Sequence, residues 1–552
     1  MPAHDSSADQ DPATEQSPLL SNGHVQADEE ASVTAGHSAV EDGNETALPD
    51  EPSTGELALI MVGPWIGSFL AAVDSTIIAT LTAPISASFN SLSLLSWLAS
   101  AYFIANAAFQ PLSGRLTDIL SRRWGLVFCN VMFAAGNLIC GLAQKEWVMI
   151  FGRVVAGTGG GGLNAISTFL GSDMVPLRRR GIWQGFGNIT YGAGAAVGAV
   201  LGGWINDVWG WRSAFLMLVP LTAISGGLSF WKVNVPVKQS NKSALKRIDF
   251  LGAFTLLVTL VLLLLGINSG GNIVPWNHPL VYVSLPLSAL GLLAFNYVEL
   301  RRASEPVIPV RLLANRTVIA ACFTNWFASM AVFSLMYYAP IYFQVKGLST
   351  TQAGLRLAPQ AVGTAVGSIT VGLVTRKTGR YYYMGVVVMA VFIGANIIAT
   401  SFNVDSPLWL TIVAIFMAGF GYVGMLTVTL LAFISAVDHE HQAVITSASY
   451  AFRSTGSAIG IAISSAVFQN LLKPNLWSAI GDRHNSSEIV DRLRNNLDVI
   501  KELSPHFKAD VQLAYMESLR GVFVTTLGLS IVASLVSLAM REHKLHTNLA
   551  RK

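Results

Sequence analysis

Charge is scarce in this chain. Only 12% of its 552 residues are Asp, Glu, Lys or Arg, whereas 52% are hydrophobic. A chain of that length cannot wrap a water-soluble core with so little polar side chain, so a bilayer must solvate most of it. The net charge is +3, and the Lys and Arg residues fall in short blocks between apolar runs, not along one face, which argues against nucleic acid as a partner. Cysteine is scarce too. Cys129, Cys140 and Cys322 all lie inside apolar runs, with no metal-ligand spacing and no extracellular pair, so they read as packing residues; no metal or cofactor is expected. No Walker loop, zinc-ligand cluster or nucleophile elbow occurs in its required context, which points away from an enzyme.

What is present begins with a polar segment. Residues 1–55 are rich in Asp, Glu, Ser, Pro and Gly, with too little apolar surface to offset the entropy of ordering, and they read as a disordered cytosolic tail. No basic region followed by an apolar one marks a signal peptide, so the first membrane helix is expected to direct insertion. Glu15 followed by Leu19 and Leu20 matches the acidic dileucine pattern read by cytosolic sorting adaptors, a pattern short enough to arise by chance.

From Glu56 onward, fourteen apolar stretches of about 18 to 27 residues recur, each long enough to cross a hydrocarbon core about 30 Å thick. With the tail in the cytosol, the inner loops hold most of the Arg and Lys, among them Arg122, Arg123, Arg178, Arg179, Arg180, Arg376 and Arg380, and the outer loops little beyond Lys145, Arg212 and Lys346. That asymmetry follows the positive-inside rule. The segment 473–517 is polar and is expected to be an outer loop, where Asn485-Ser486-Ser487 forms a glycosylation sequon. The sequons at Asn44, Asn241 and Asn315 fall on the cytosolic side, and that at Asn188 inside a helix.

An internal repeat organises these stretches. Gly114-Arg115-Leu116-Thr117-Asp118 through Arg122-Arg123 follows the second stretch, and Gly372 through Arg380 follows the tenth; each follows the second helix of a set of six. The expected fold is all-α and polytopic: a six-helix bundle over 56–231, a linker with two extra membrane helices over 232–312, a second six-helix bundle over 313–540 and a cytosolic end at 541–552. The first of these loops resembles the glycine-Asp-Arg-Arg motif of the major facilitator superfamily, which implies that Gly114 lets two helices approach and that Asp118 with Arg122 and Arg123 forms a charge cluster holding one conformer. An ordinary basic turn is the plainer alternative.

Ala72-Val73-Asp74-Ser75-Thr76 is similar to a segment of the superfamily's 14-helix drug:proton antiporter branch. A carboxylate within a membrane helix costs about 2.5–3.5 kcal/mol on insertion scales, so Asp74 calls for a partner, a wet cavity or a proton, and it is the candidate proton carrier. Phe151-Gly152-Arg153-Val154 resembles the buried-arginine motif, which makes Arg153 a cation able to pair with a carboxylate and tune proton release. Gly185, Gly194, Gly198, Gly202 and Gly203 match the spacing of the antiporter motif, although Ala199 stands where that motif has proline. Arg356 and Arg453 are further intramembrane cations that need partners, either a substrate carboxylate or a helix carbonyl.

Gly159-Gly160-Gly161-Gly162-Leu163-Asn164, Ser172-Asp173 and Arg180 through Ile189 are similar to the fungal vacuolar basic amino acid transporters. The resemblance implies a multi-pass vacuolar membrane protein exporting amino acids, basic ones above all, from cytosol to vacuole in exchange for protons. Candidate cavity residues are Asn106, Gln110, Asn164, Asn325, Tyr338, Tyr422 and Arg453, with Ser167, Trp326, Tyr337, Tyr342 and Tyr450; their aromatic faces suit an ammonium, although packing and interface roles compete for each tyrosine. The expected partners are a small-molecule substrate, protons, lipid and a sorting adaptor, with the chain monomeric. Two alternatives share the fold: a plasma-membrane multidrug efflux pump and a nutrient sensor that no longer transports.

Overall fold

The computed structural model describes residues 53–91, 94–175, 177–234, 249–270, 274–302, 314–437, 442–480, 486–497, 499–503 and 505–543. The dileucine residues Glu15, Leu19 and Leu20 and the sequon residue Asn485 lie outside them. Apart from one isolated bridge between Gly270 and Val274, all regular structure among the described residues is helical.

Fourteen long helices carry the fold. In chain order they are α1 (Thr54–Phe89), α2 (Leu94–Leu120), α3 (Arg122–Leu142), α4 (Glu146–Met174), α5 (Leu177–Trp209), α6 (Trp211–Lys232), α7 (Phe250–Ser269), α8 (Pro279–Arg301), α9 (Arg316–Val345), α11 (Ala358–Thr378), α12 (Tyr382–Thr400), α13 (Leu408–Ala436), α14 (Gln442–Ile480) and α17 (Pro505–Ser537). Three short helices complete the set: α10 (Thr350–Leu355), α15 (Ser486–Asn495) and α16 (Val499–Glu502). Among the described residues, eleven segments are long and apolar enough to count as membrane spans by length and composition. Large apolar side chains face outward, as at Trp147 (79% exposed) and Leu293 (65% exposed), the pattern of a protein solvated by hydrocarbon.

Local sequence sets the helix ends. α1 opens with a capping box: Ser53 Oγ accepts from the Glu56 N–H, and the Glu56 carboxylate accepts from the Ser53 N–H at 3.0 Å. It ends at Asn90, whose left-handed backbone (φ 50°) suits an asparagine. The tenth expected stretch is broken in two. A second capping box, Ser349 with Gln352, starts α10, and Pro359 sits in the first turn of α11, where its missing N–H costs nothing.

Helices α1–α6 form one bundle, and α9, α11–α14 and α17 the other, with α7 and α8 packed on each other and α7 resting on α2 and α14. Within the first bundle the glycine run of α4 draws the backbones together. A Cβ at Gly157 would stand 2.3 Å from the Tyr102 carbonyl oxygen, so only glycine permits this approach of α4 to α2.

The clearest departure from expectation is the segment 473–517, read from its polarity as a loop. α14 runs on to Ile480, α17 begins at Pro505, and α15 and α16 fold between them. Val490, Leu493, Leu497 and Ile500 are buried, and Arg494 Nε donates to Gln469 Oε1 at 2.9 Å. Their spacing of three and four residues puts one apolar face on the bundle and leaves the charges outside, so average polarity concealed a folded cap.

Candidate transport site

Successive long helices run in opposite directions, so the molecule has a near face, where α1 begins, and a far face. A cavity lies in the near half, lined by the early turns of α1, α5 and α14, the middle of α2, the late turns of α4 and Phe333 of α9. Asn106, Gln110, Asn164 and Arg453 line it, as do Ser167 and Tyr450. Ser454 Oγ on α14 donates to Asn106 Oδ1 (3.2 Å) and Gln110 Oε1 (3.3 Å), a polar crossing between the two bundles.

Asn325, Tyr338 and Tyr422 lie outside the lining. Asn325 bridges α9, α13 and α14 by donating to Ser449 Oγ and accepting from Thr429 Oγ1, both at 3.0 Å. Tyr338 packs edge-on to Phe468. The Tyr422 hydroxyl is 3.0 Å from Ser329 Oγ. Tyr337 and Tyr342 likewise donate to backbone carbonyls, of Ser75 and Asn403. Sequence reasoning missed Trp65, Trp183, Tyr191 and Ser454, which do line the cavity. Trp65 and Trp183 stack at 5.6 Å, and Trp183 lies within the very segment that carried the family resemblance.

Deeper than the cavity, Arg153 Nη1 donates to both oxygens of Asp74 at 2.8 Å. Both side chains are fully buried. Arg153 Nε donates to the Leu98 carbonyl at 3.3 Å, and its guanidinium lies 4.4 Å from the centre of the Tyr102 ring. Tyr102 also lines the cavity, so its ring is the partition between ligand space and ion pair. Arg153 Nη2 is buried with no hydrogen bond. A salt bridge this deep is a poor way to gain stability, because desolvation of two charges offsets most of their attraction.

At the near face, Arg122 pairs with Asp173 from the end of α4 (Nη2 to Oδ2, 2.9 Å), bonds the Thr117 hydroxyl and lies over the Phe169 ring. Arg123 Nε donates to the Val233 carbonyl at 2.7 Å. Gly114 and Asp118 occupy the last two turns of α2, and the Asp118 side chain falls outside what is described. Asp173 was quoted for the family resemblance and given no part in this cluster.

The far face is closed where α5 meets α10. A Cβ at Gly354 would stand 2.0 Å from the Ala199 carbonyl oxygen, and one at Gly203 2.5 Å from that of Thr350. Asp207, near the end of α5, accepts from the Thr351 N–H at 3.0 Å and from its hydroxyl. Partial burial pushes this carboxyl up, but the hydrogen bonds from Thr351, Asn206 and Thr350 outweigh that and hold it below its ordinary value.

A polar cavity open to one face, sealed from the other and backed by a buried ion pair is the form of an alternating-access carrier. The sequence matches the Major Facilitator Superfamily over residues 64–461. It is 38% identical over 502 residues to Multidrug resistance protein fnx1 of Schizosaccharomyces pombe, covering 89% of this chain and 94% of that protein. To the Vacuolar membrane amino acid uptake transporter fnx2 of the same yeast it is 32% identical, covering 87% and 83%. To Vacuolar basic amino acid transporter 2 of Saccharomyces cerevisiae it is 32% identical, covering 80% and 96%. Its fold is similar to that of a bacterial homolog of the human lysosomal transporter Spinster, with a TM-score of 0.62 at 16% identity, covering 89% of this chain and 98% of that one. The chain belongs to the Major Facilitator Superfamily and is a multi-pass membrane transporter.

Proposed function

We propose that the protein is a proton-coupled antiporter that moves amino acids, basic ones above all, from the cytosol into the vacuole. The observation that carries this is the Asp74–Arg153 pair, fully buried behind Tyr102. In the conformer with a near-face cavity, Arg153 holds the Asp74 carboxylate and neither reaches the ligand space. Opening the far face exposes Asp74 to the acidic compartment; protonation then cancels its charge and frees Arg153. Return to the near-open conformer re-forms the pair and delivers the proton to the cytosol. The positive-inside pattern makes the near face cytosolic, and similarity to two proteins named as vacuolar amino acid transporters supports the direction and substrate.

The test is uptake of labelled lysine, arginine and histidine into vacuolar vesicles from cells with and without the gene. Accumulation that depends on the protein and collapses with a protonophore is the expected result. A second reading, drug efflux at the plasma membrane, draws support from the 38% identity to a protein named for multidrug resistance. Surface localisation with unchanged vacuolar amino acids would put that reading in place of the first.

A further inference from the structure

Two arginines among the described residues lie deep in the helices, Arg153 and Arg453, and of these only Arg153 is paired with an acidic side chain. Arg153 is bound to both oxygens of Asp74. Arg453, on the twelfth residue of α14, lines the near-face cavity. Among the described residues no Asp or Glu lies within ion-pair distance of it; the pairs inside the bundles are Arg153–Asp74 and Arg122–Asp173. Its guanidinium rests 5.1 Å from the centre of the Tyr450 ring, and its Nε is buried with no hydrogen bond. The Tyr422 hydroxyl, 3.0 Å from Ser329 Oγ, is also within hydrogen-bonding range of the Arg453 side chain, a partner that carries no carboxylate.

A guanidinium left this way in a low-dielectric setting is costly unless an anion arrives. Among the described residues the cavity has none of its own, since no Asp or Glu is among its lining residues. It does hold further donors. The amide oxygens of Asn106 and Gln110 both face the single hydroxyl hydrogen of Ser454, and their amide nitrogens are further donors for a ligand. The planar fork of arginine matches a carboxylate in two parallel hydrogen bonds. For the other end of an amino acid the walls offer aromatic faces, Trp65, Trp183 and Phe103, which attract a cation without a fixed acid. No Asp or Glu among the described lining residues offers a cationic drug without a carboxylate an acidic wall.

We infer that Arg453 anchors the carboxylate of the transported molecule, so that the cavity selects zwitterionic amino acids over their decarboxylated amines. This deepens the amino acid reading and rests on it for direction and coupling. Full-length protein in proteoliposomes with an imposed proton gradient tests it, with labelled arginine and agmatine, which is arginine without its carboxylate, as probes. Loss of a charge-assisted pair corresponds to roughly tenfold to a hundredfold in rate at low substrate. Wild type is expected to carry arginine faster than agmatine by that factor. Arg453→Gln brings arginine down to the agmatine rate, and Arg453→Lys keeps part of the preference. Equal rates for the two probes in wild type, a comparison that needs no variant, overturn the anchor while leaving amino acid transport standing. An undiminished preference in Arg453→Gln overturns it as well. Gradient-driven movement of ethidium with no movement of arginine defeats both the anchor and the amino acid reading.

Discussion

Replacing Gly354 with Ala should tilt the molecule away from the conformer described here. The added Cβ would stand 2.0 Å from the Ala199 carbonyl oxygen, whereas ordinary contact begins at 3.4 Å, so α10 must retreat from α5 by about 1.4 Å. The obstacle is backbone, which has no rotamer to turn aside. Overpacking of this kind costs about 1–3 kcal/mol, and because separation of the far-face helices relieves it, the cost falls on the far-closed conformer alone. The equilibrium then moves toward far-face opening by about 5-fold to 150-fold. Spin labels at Lys145→Cys, before α4, and Asp405→Cys, between α12 and α13, report it: both positions are exposed and belong to different bundles. The native cysteines Cys129, Cys140 and Cys322 are buried and should not label. The longer-distance population is expected to grow in Gly354→Ala, and in Gly203→Ala in the same direction. An unchanged distance distribution in a folded, ligand-binding variant would refute the reasoning that this contact closes the far face.

Arg153→Gln leaves the Asp74 charge buried and alone, a loss of about 3–5 kcal/mol, so its melting temperature in detergent should fall; adding Asp74→Asn should restore stability without restoring proton-driven uptake. Asp207→Asn weakens the α5–α10 latch and should raise the long-distance population in the same spin-label assay. Because the Asp207 carboxyl is held below its ordinary value of 3.8, its contribution is complete above that value and is lost only as pH falls through the still lower value of the closed state. The pH profile of transport between about 5 and 7 should therefore have the same shape in Asp207→Asn as in wild type, and a changed shape would show that this latch titrates during the cycle. Leu19→Ala with Leu20→Ala is expected to shift a fluorescent fusion toward the cell surface with transport unchanged; normal vacuolar delivery after removal of residues 1–50 would show that the tail carries no address.

The order of the long helices was legible because each stretch is long, apolar and bounded by charge, although the tenth is broken into α10 and α11. The Asp74–Arg153 pair was half legible. Each residue stood out as a charge where charge is costly, but 79 residues separate them, and only the packing of α4 against α1 and α2 shows that they are partners. The cavity was harder to read. Asn325 and Tyr338 have the chemistry of ligand groups, yet their partners, Ser449, Thr429 and Phe468, come from other helices, so the side each faces depends on packing that periodicity in near-uniformly apolar helices does not reveal. Trp65 and Trp183 were passed over because nothing in the sequence pairs them, and only their stacking places them together at the cavity. The α15–α16 cap was missed because polarity was averaged where its three-and-four spacing should have been counted.

Proton exchange by a single residue is the centre of the account, and simultaneous recording of substrate and protons tests it most directly. Proteoliposomes with an acidic interior and a trapped pH dye are given labelled arginine outside. Wild type should take up arginine while the interior becomes more alkaline, and both signals should vanish in Asp74→Asn, whose amide cannot carry the proton. Arginine entry into wild-type vesicles with no proton movement, or proton exchange at the wild-type rate in Asp74→Asn, would contradict it.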